Sequence, residues 1–369
     1  VRAPDASRAT GSGLATCALV LLLLGAGCQQ TVTFLVDGGG GGSGGTPGNL
    51  CMAAQNTVEV RTQPEMPEVV LALDRSTSMN AAFGGTTEIA AAQDALAAVV
   101  AKYAARNVPL VSFDYVEFPS ADFNCGQTNP GCCVSQVSVV DSRSFADPNG
   151  GMLHRCDTGG PGCPTSSERP IGAALLSTKS FFNQFGQGGP KRYVLLLTDG
   201  EPSPESDCPF FGTGGGGGSC TDEAAVIGQL GRNAETAVVA INYPNDQCLS
   251  MLGEPGQFGS NPPFPPFNSS PWYASVASPS DLSAMLDGVV GEMARENACH
   301  LDLIPMGSPP QNPSQVTLSV GTTTIPRGGP DGWQFNDTNT TITLSGMACM
   351  MFLAHPDSLS VVGCNDFHH

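Results

Sequence analysis

The chain has 369 residues, among them 46 Gly, 30 Pro and 14 Cys, and its 33 acidic and 15 basic side chains give a net charge of −18. Lysine occurs only at Lys102, Lys179 and Lys191. There is no basic patch of the kind that holds a phosphate backbone, so a nucleic-acid partner is excluded. A hydrophobic content of 40% suffices for one α/β domain of about 200 residues plus a smaller module.

Residues 1–28 read as an export signal. Arg2 and Arg8 supply a positive start, and Leu14–Leu24 is an apolar run too short to span a bilayer comfortably. Gly25-Ala26-Gly27-Cys28 then resembles a bacterial lipoprotein cleavage site with Cys28 as the lipidated residue, although Gly25 stands where that motif prefers Leu. Ordinary secretion, with Cys28 in a disulfide, is the competing reading. Gln29 after Cys28 points to the outer membrane rather than the inner one. Residues 29–66 form a lead-in; the glycines of Gly38–Gly45 predict a flexible tether.

Val69–Leu73 is a short continuous apolar run that fits a central parallel strand covered on both faces. It ends in Asp74-Arg75-Ser76-Thr77-Ser78, which spaces a carboxylate and two hydroxyls at alternate positions. These are hard oxygen donors of the kind that suit Mg²⁺ or Ca²⁺. Asp and Ser at such a place also simply cap the following turn or helix. Glu88–Asn107 repeats apolar residues at helical spacing (Ile89, Ala92, Leu96, Val99, Tyr103), with Thr86 or Thr87 as cap. Leu110–Phe118 alternates as a second strand. Residues 120–168 form a Cys-, Gly- and Pro-rich insertion with one expected strand, Gln136–Val140, and are a candidate partner-contacting loop.

Pro170 opens a helix, with Ile171, Leu175, Thr178, Phe182 and Phe185 as its buried stripe. Arg192–Thr198 is another buried strand and runs into Asp199-Gly200. A helix over Thr221–Asn233, a strand over Thr236–Tyr243, a loop over Cys248–Pro271 and a short edge strand over Trp272–Ala277 follow. Ser280 caps a last helix whose buried face is Leu282, Met285, Leu286, Val289 and Met293. This alternation predicts a doubly wound, mostly parallel sheet over 67–297 with helices on both faces. Residues 298–369 are expected to form a small disulfide-linked β module containing strands at Val316–Val320, Thr341–Leu344 and Leu359–Val362, with Trp333 in its core.

Asp74-x-Ser76-x-Ser78 and Thr198-Asp199-Gly200, in this order of elements, resemble the von Willebrand factor A domain family. The resemblance implies a metal-ion-dependent adhesion site built from Asp74, Ser76, Ser78 and Asp199. It would hold Mg²⁺ (or Mn²⁺ or Ca²⁺) and bind protein partners by letting an acidic partner side chain complete the coordination. The family supplies a further Thr just before a helix, in a stretch similar to Arg169-Pro170-Ile171-Gly172-Ala173-Ala174-Leu175; here Arg169 takes the place of that Thr. Arginine has no acceptor and keeps its charge. Pointing inward it opposes a metal, and pairs with Asp74 or Asp199 in the cation's stead. Pointing outward it leaves room for Ser167 or water.

Without Cys17 and Cys28, twelve cysteines remain, an even number that favours disulfides in an exported chain. Cys208–Cys220 is one expected pair, and those between Cys125 and Cys163 are expected to pair among themselves. Cys299, Cys349 and Cys364 are assigned to the C-terminal module, one of them reaching Cys51. Among function classes, an anchored or secreted binding protein leads. A metal-free A domain with a structural role in an envelope complex, Arg169 replacing the metal, is second. A hydrolase ranks last, because no Gly-x-Ser-x-Gly elbow between a strand and a helix appears (Gly41–Gly45 has that spacing only within the glycine tether), and His-Glu-x-x-His does not occur.

Overall fold

A computed structural model of the chain describes residues 57–59, 62–120, 133–147, 151–153, 166–184, 190–203, 234–244, 247–253, 272–303 and 316–364. In chain order the elements are β1 (Thr57–Glu59), β2 (Thr62–Pro64), β3 (Glu68–Asp74), a small hairpin of β4 (Ala82–Phe83) and β5 (Thr86–Thr87), α1 (Glu88–Tyr103), β6 (Ser112–Phe118) and β7 (Ser138–Val139). Next come α2 (Ile171–Asn183), β8 (Arg192–Thr198), β9 (Glu235–Ile241), α3 (Gln247–Leu252), β10 (Tyr273–Val276) and α4 (Pro279–Ala298). The chain closes with β11 (His300–Leu303), β12 (Thr317–Val320), β13 (Thr323–Ile325), β14 (Trp333–Phe335), β15 (Thr341–Leu344), α5 (Gly346–Ala354) and β16 (Leu359–Cys364). No helix among the described residues is long and apolar enough to cross a membrane.

The central sheet has the order β10-β9-β8-β3-β6-β7. Its first five strands run parallel, and β7 pairs antiparallel with β6 at the edge. β3 is buried on both faces because its side chains alternate between two cores. Val69, Leu71 and Leu73 meet α1 and α4, while Val70 and Ala72 meet α2 and α3. This is the doubly wound sheet that the apolar runs imply. The chain passes from β3 out to β6 and then crosses back to β8 on the other side of β3, so a topological switch point lies between β3 and β8. In open α/β sheets, ligands bind outside the carboxyl ends of the strands at that point.

Most boundaries fall within a few residues of expectation; four features differ. Ser278, not Ser280, caps α4: its Oγ accepts from the Asp281 amide at 3.2 Å, and Pro279 takes the first helical position. The stretch after Cys248 begins as part of a helix, α3, rather than a loop. α5 is a helix within the stretch expected to be wholly β. The largest correction concerns the lead-in. β1 pairs with β16 and β2 with β11, so the module at 298–369 also takes strands from 57–64, and the lead-in over 29–66 is not all tether. The result is two four-stranded sheets, β1-β16-β12-β13 and β14-β15-β11-β2. Leu318, Val361, Leu301, Ile342 and Trp333 share one core with the central sheet. The A-like domain is thus an insertion between two adjacent antiparallel strands, β2 and β11. Trp333 is 2% exposed and donates its indole N–H to the Ile325 carbonyl at 3.1 Å, the core role expected of it.

Cys299 and Cys349 form a disulfide that ties the end of α4 to α5. Cys133 and Cys248 each belong to a further disulfide. The expected Cys208–Cys220 pair, the helix at Thr221–Asn233, Cys28 and Cys51 lie outside the described residues. Within the insertion, only Ser138–Val139 of the expected Gln136–Val140 forms a strand. Phe145 packs edge-on against Tyr115, with ring centroids 5.6 Å apart.

At the opposite end of the sheet from the switch point, Asp114 on β6 is 1% exposed, and its Oδ2 meets no donor among the described residues. Burial, reinforced by the Glu68 charge, pushes its carboxyl up to about 8. An unfolded Asp loses its proton near pH 4. Between those values the folded chain holds the extra proton, so stability falls as pH rises through the window. Asp114→Asn is expected to raise stability at pH 8.5 by about 1–3 kcal/mol and to have little effect at pH 4. Urea midpoints at the two pH values check it; an equal shift at both would remove Asp114 from the account.

Candidate strand-end site

The site is built where β3 and β8 end, on either side of the switch point. Asp74 is the last residue of β3 and is fully buried. Its Oδ1 accepts from the Ser76 amide at 2.7 Å, and its Oδ2 accepts from the Thr198 hydroxyl at 2.6 Å. Thr198 is the last residue of β8, and Asp199 follows it. Ser76 Oγ lies 2.8 Å from Ser78 Oγ and 3.5 Å from Asp199 Oδ1. The structure therefore brings Asp74, Ser76, Ser78 and Asp199 together.

Arg75, between the first two of these, points the other way because side chains alternate along a strand. It is 1% exposed and pairs with Glu117 of β6 at 2.7 Å. A short 3₁₀ turn, Thr77–Asn80, follows Ser76, carries Ser78 and leads on toward α1. The Thr77 amide donates to the Ser166 carbonyl at 2.7 Å, which fastens this turn to the segment that bears Arg169.

Arg169 points inward. Its Nε lies 3.0 Å from Asp199 Oδ1 and 3.4 Å from Asp74 Oδ2. Its Nη2 donates to Ser78 Oγ at 2.6 Å. The guanidinium thus sits among the oxygens that were expected to surround a metal. Burial pushes the Asp74 carboxyl up to about 6, with the Asp199 charge adding to the rise; the Thr198 hydroxyl, the Ser76 amide and Arg169 pull the other way.

Two residues of the cluster were not singled out from sequence. Glu88, the first residue of α1, is 2% exposed and accepts from Asn242 Nδ2 at 2.9 Å through Oε1; its Oε2 has no hydrogen-bond partner among the described residues. Burial pushes its carboxyl up to about 7, the Asn242 bond opposes this, and the nearby Asp199 and Asp74 charges add to it. Asn242 follows β9 with φ 51, a left-handed conformation that Asn tolerates better than most residues.

This arrangement does not fit a divalent ion. An ion bound by these oxygens would sit about 2.0–2.6 Å from each, in space that the guanidinium occupies. A divalent ion 4 Å from that charge would be repelled by about 8 kcal/mol at an effective dielectric of 20. Among the described residues no group of three or more His, Cys, Asp or Glu is placed to hold a metal. Of the two orientations the sequence left open for Arg169, the structure adopts the one that opposes Mg²⁺, Mn²⁺ or Ca²⁺.

Sheet topology and strand-end residues together give the chain a von Willebrand A-like fold. No family model matches the chain, and no curated protein matches it. Among solved structures it is similar to the pilus adhesin SpaC from Lactobacillus rhamnosus GG, at 15% identity over 84% of this chain and 40% of that one, TM-score 0.46. It is also similar to a von Willebrand factor type A protein from Catenulispora acidiphila, at 16% identity over 85% of this chain and 62% of that one, TM-score 0.39. A third similarity is to the vWF domain of a type V pili tip protein from Porphyromonas gingivalis, at 9% identity over 61% and 93%, TM-score 0.40. The chain thus spans under half the length of SpaC. At such identities and scores, these likenesses carry no weight for partner or activity.

Proposed function

We propose that this is an exported, surface-presented protein whose A-like domain binds a protein partner at the carboxyl ends of β3 and β8, without covalent chemistry. The observation that carries the reading is the mouth at the switch point. Thr77, Ser78 and Arg169 are partly exposed there, over a floor of fully buried Asp74 and Ser76. Hydroxyl and guanidinium groups held on a rigid floor are suited to contact a partner surface. Glu168 and Glu201 stand on the rim. The chain's net charge of −18 favours a partner with basic groups.

Beads coated with the full chain and washed over arrayed basic, acidic and neutral peptides test this. Retention on the basic set, reduced about tenfold by Glu168→Lys with Glu201→Lys, is expected. Retention indifferent to peptide charge and to these substitutions refutes the site. Turnover of generic ester or peptide substrates by the pure protein would favour a hydrolase instead.

The export reading places Cys28 under lipid, with the outer membrane as the anchoring surface and secretion as the alternative. Cys28→Ser is expected to move the chain from the membrane pellet to the soluble fraction. If the variant stays in the pellet, the anchor lies elsewhere.

A further inference from the structure

We propose that Arg169 is the resident cation of the strand-end site, built into the fold where a divalent ion would otherwise stand, so that the site assembles and engages its partner without added metal. The proposal rests on the partner-binding reading and specifies the site's positive charge.

The first support is position. The guanidinium meets three of the four residues with ligating chemistry: Asp199 at 3.0 Å, Asp74 at 3.4 Å and Ser78 at 2.6 Å. The Asp74 side chain is 0% exposed, that of Asp199 6% and that of Arg169 21%, so the pairing is shielded from solvent and salt. The second is that the backbone holds Arg169 there. Its amide donates to Ser203 Oγ at 2.7 Å, and its carbonyl accepts from the Ser203 amide at 3.0 Å. Ser203 lies four residues beyond Asp199, so the arginine is fastened to the same loop that it neutralises.

The third support is room. A Cβ added at Gly200 would lie 2.7 Å from Arg169 Cζ and 3.0 Å from its Nε and Nη1. Glycine at 200 lets the guanidinium lie flat against the backbone just past Asp199. Because the guanidinium cannot lose its proton or act as an acceptor, it holds the carboxylates together but cannot pass a coordination position to a partner oxygen.

The test is calorimetric titration of Mn²⁺ into the full chain, its Arg169→Thr variant, and Arg169→Thr combined with Asp74→Ala. No saturable binding by the parent is expected. Saturable binding is expected in Arg169→Thr, tighter than any parent signal by at least about tenfold, and lost again with Asp74→Ala. Saturable binding by the parent that disappears in Asp74→Ala overturns the proposal, and so does a folded Arg169→Thr chain that binds no Mn²⁺.

Gly200→Ala keeps the proposal open to refutation even if Arg169→Thr fails to fold. It should lower the parent's thermal midpoint by displacing the guanidinium, and an unchanged midpoint with unchanged bead retention overturns the cradle. The partner-binding reading fails separately, when retention ignores the rim substitutions whatever the Mn²⁺ result.

Discussion

Replacing Arg169 by leucine is expected to destabilise the chain by about 3–5 kcal/mol at pH 7.5, because it leaves a buried carboxylate pair without its counter-charge. Asp74 is fully buried, and Asp199 is the nearby charge that already raises it. With the guanidinium gone, Asp74 moves further above its present value of about 6. A folded-state acid raised in this way destabilises the fold as pH rises through the window between the unfolded and folded values, and costs little below it. The loss should therefore shrink markedly at pH 4.5, which urea unfolding at the two pH values measures. Leucine offers no oxygen, so Mn²⁺ should not recover the loss in this variant as it should in Arg169→Thr. A small loss, independent of pH, would mean that the arginine is not the counter-charge.

The second large effect concerns the Cys299–Cys349 disulfide. The bond closes a loop with a sequence separation of 50, for which chain entropy alone gives about 4 kcal/mol. The double variant Cys299→Ala with Cys349→Ala removes the bond and leaves no thiol at either position. The bond fixes the end of α4 where it passes directly into β11, and with it the seam between the A-like domain and the β module. A loss of about 3–4 kcal/mol is expected, felt first in the module. Amide exchange should accelerate in β12, β15 and β16 while β3 and β8 stay protected. Equal acceleration in both parts would show that they unfold as one unit.

How much of this was legible in the sequence depends on the range of the interaction that decides each feature. β3 and β8 announced themselves because strands buried on both faces need unbroken apolar runs, and Asp74 and Asp199 could be placed at their ends. That those ends adjoin is fixed by the crossover from β6 to β8, which the alternation of strands and helices allows. Arg169 was visible as a departure from pattern, but its direction was not, because it depends on the clamp by Ser203 and the space over Gly200. Glu88 reads from sequence as an ordinary acid in a first helical turn; only the packing of α1 over the strand ends turns it inward. Pro279 after Ser278 was a usable signal for the start of α4. β1 and β2, three residues each, carry too short a pattern to register without their partners in β16 and β11. α5 (Gly-Met-Ala-Cys-Met-Met-Phe-Leu-Ala) is apolar all round and offers no stripe to distinguish it from a strand.

The placement of the A-like domain between β2 and β11 also sets an order of events during synthesis. β1 and β2 leave the ribosome before their partners β16 and β11, which follow only with residues 300–364, an interval of tens of seconds at ordinary elongation rates. Among the described residues, the inserted domain contains every strand of its own sheet and can close in that interval. β1 and β2 therefore wait with open edges while the inserted domain forms downstream of them. The nascent chain is thus exposed to wrong strand pairing at β1 and β2, and holding those few residues apart until β16 arrives is what a folding helper for this protein would have to do.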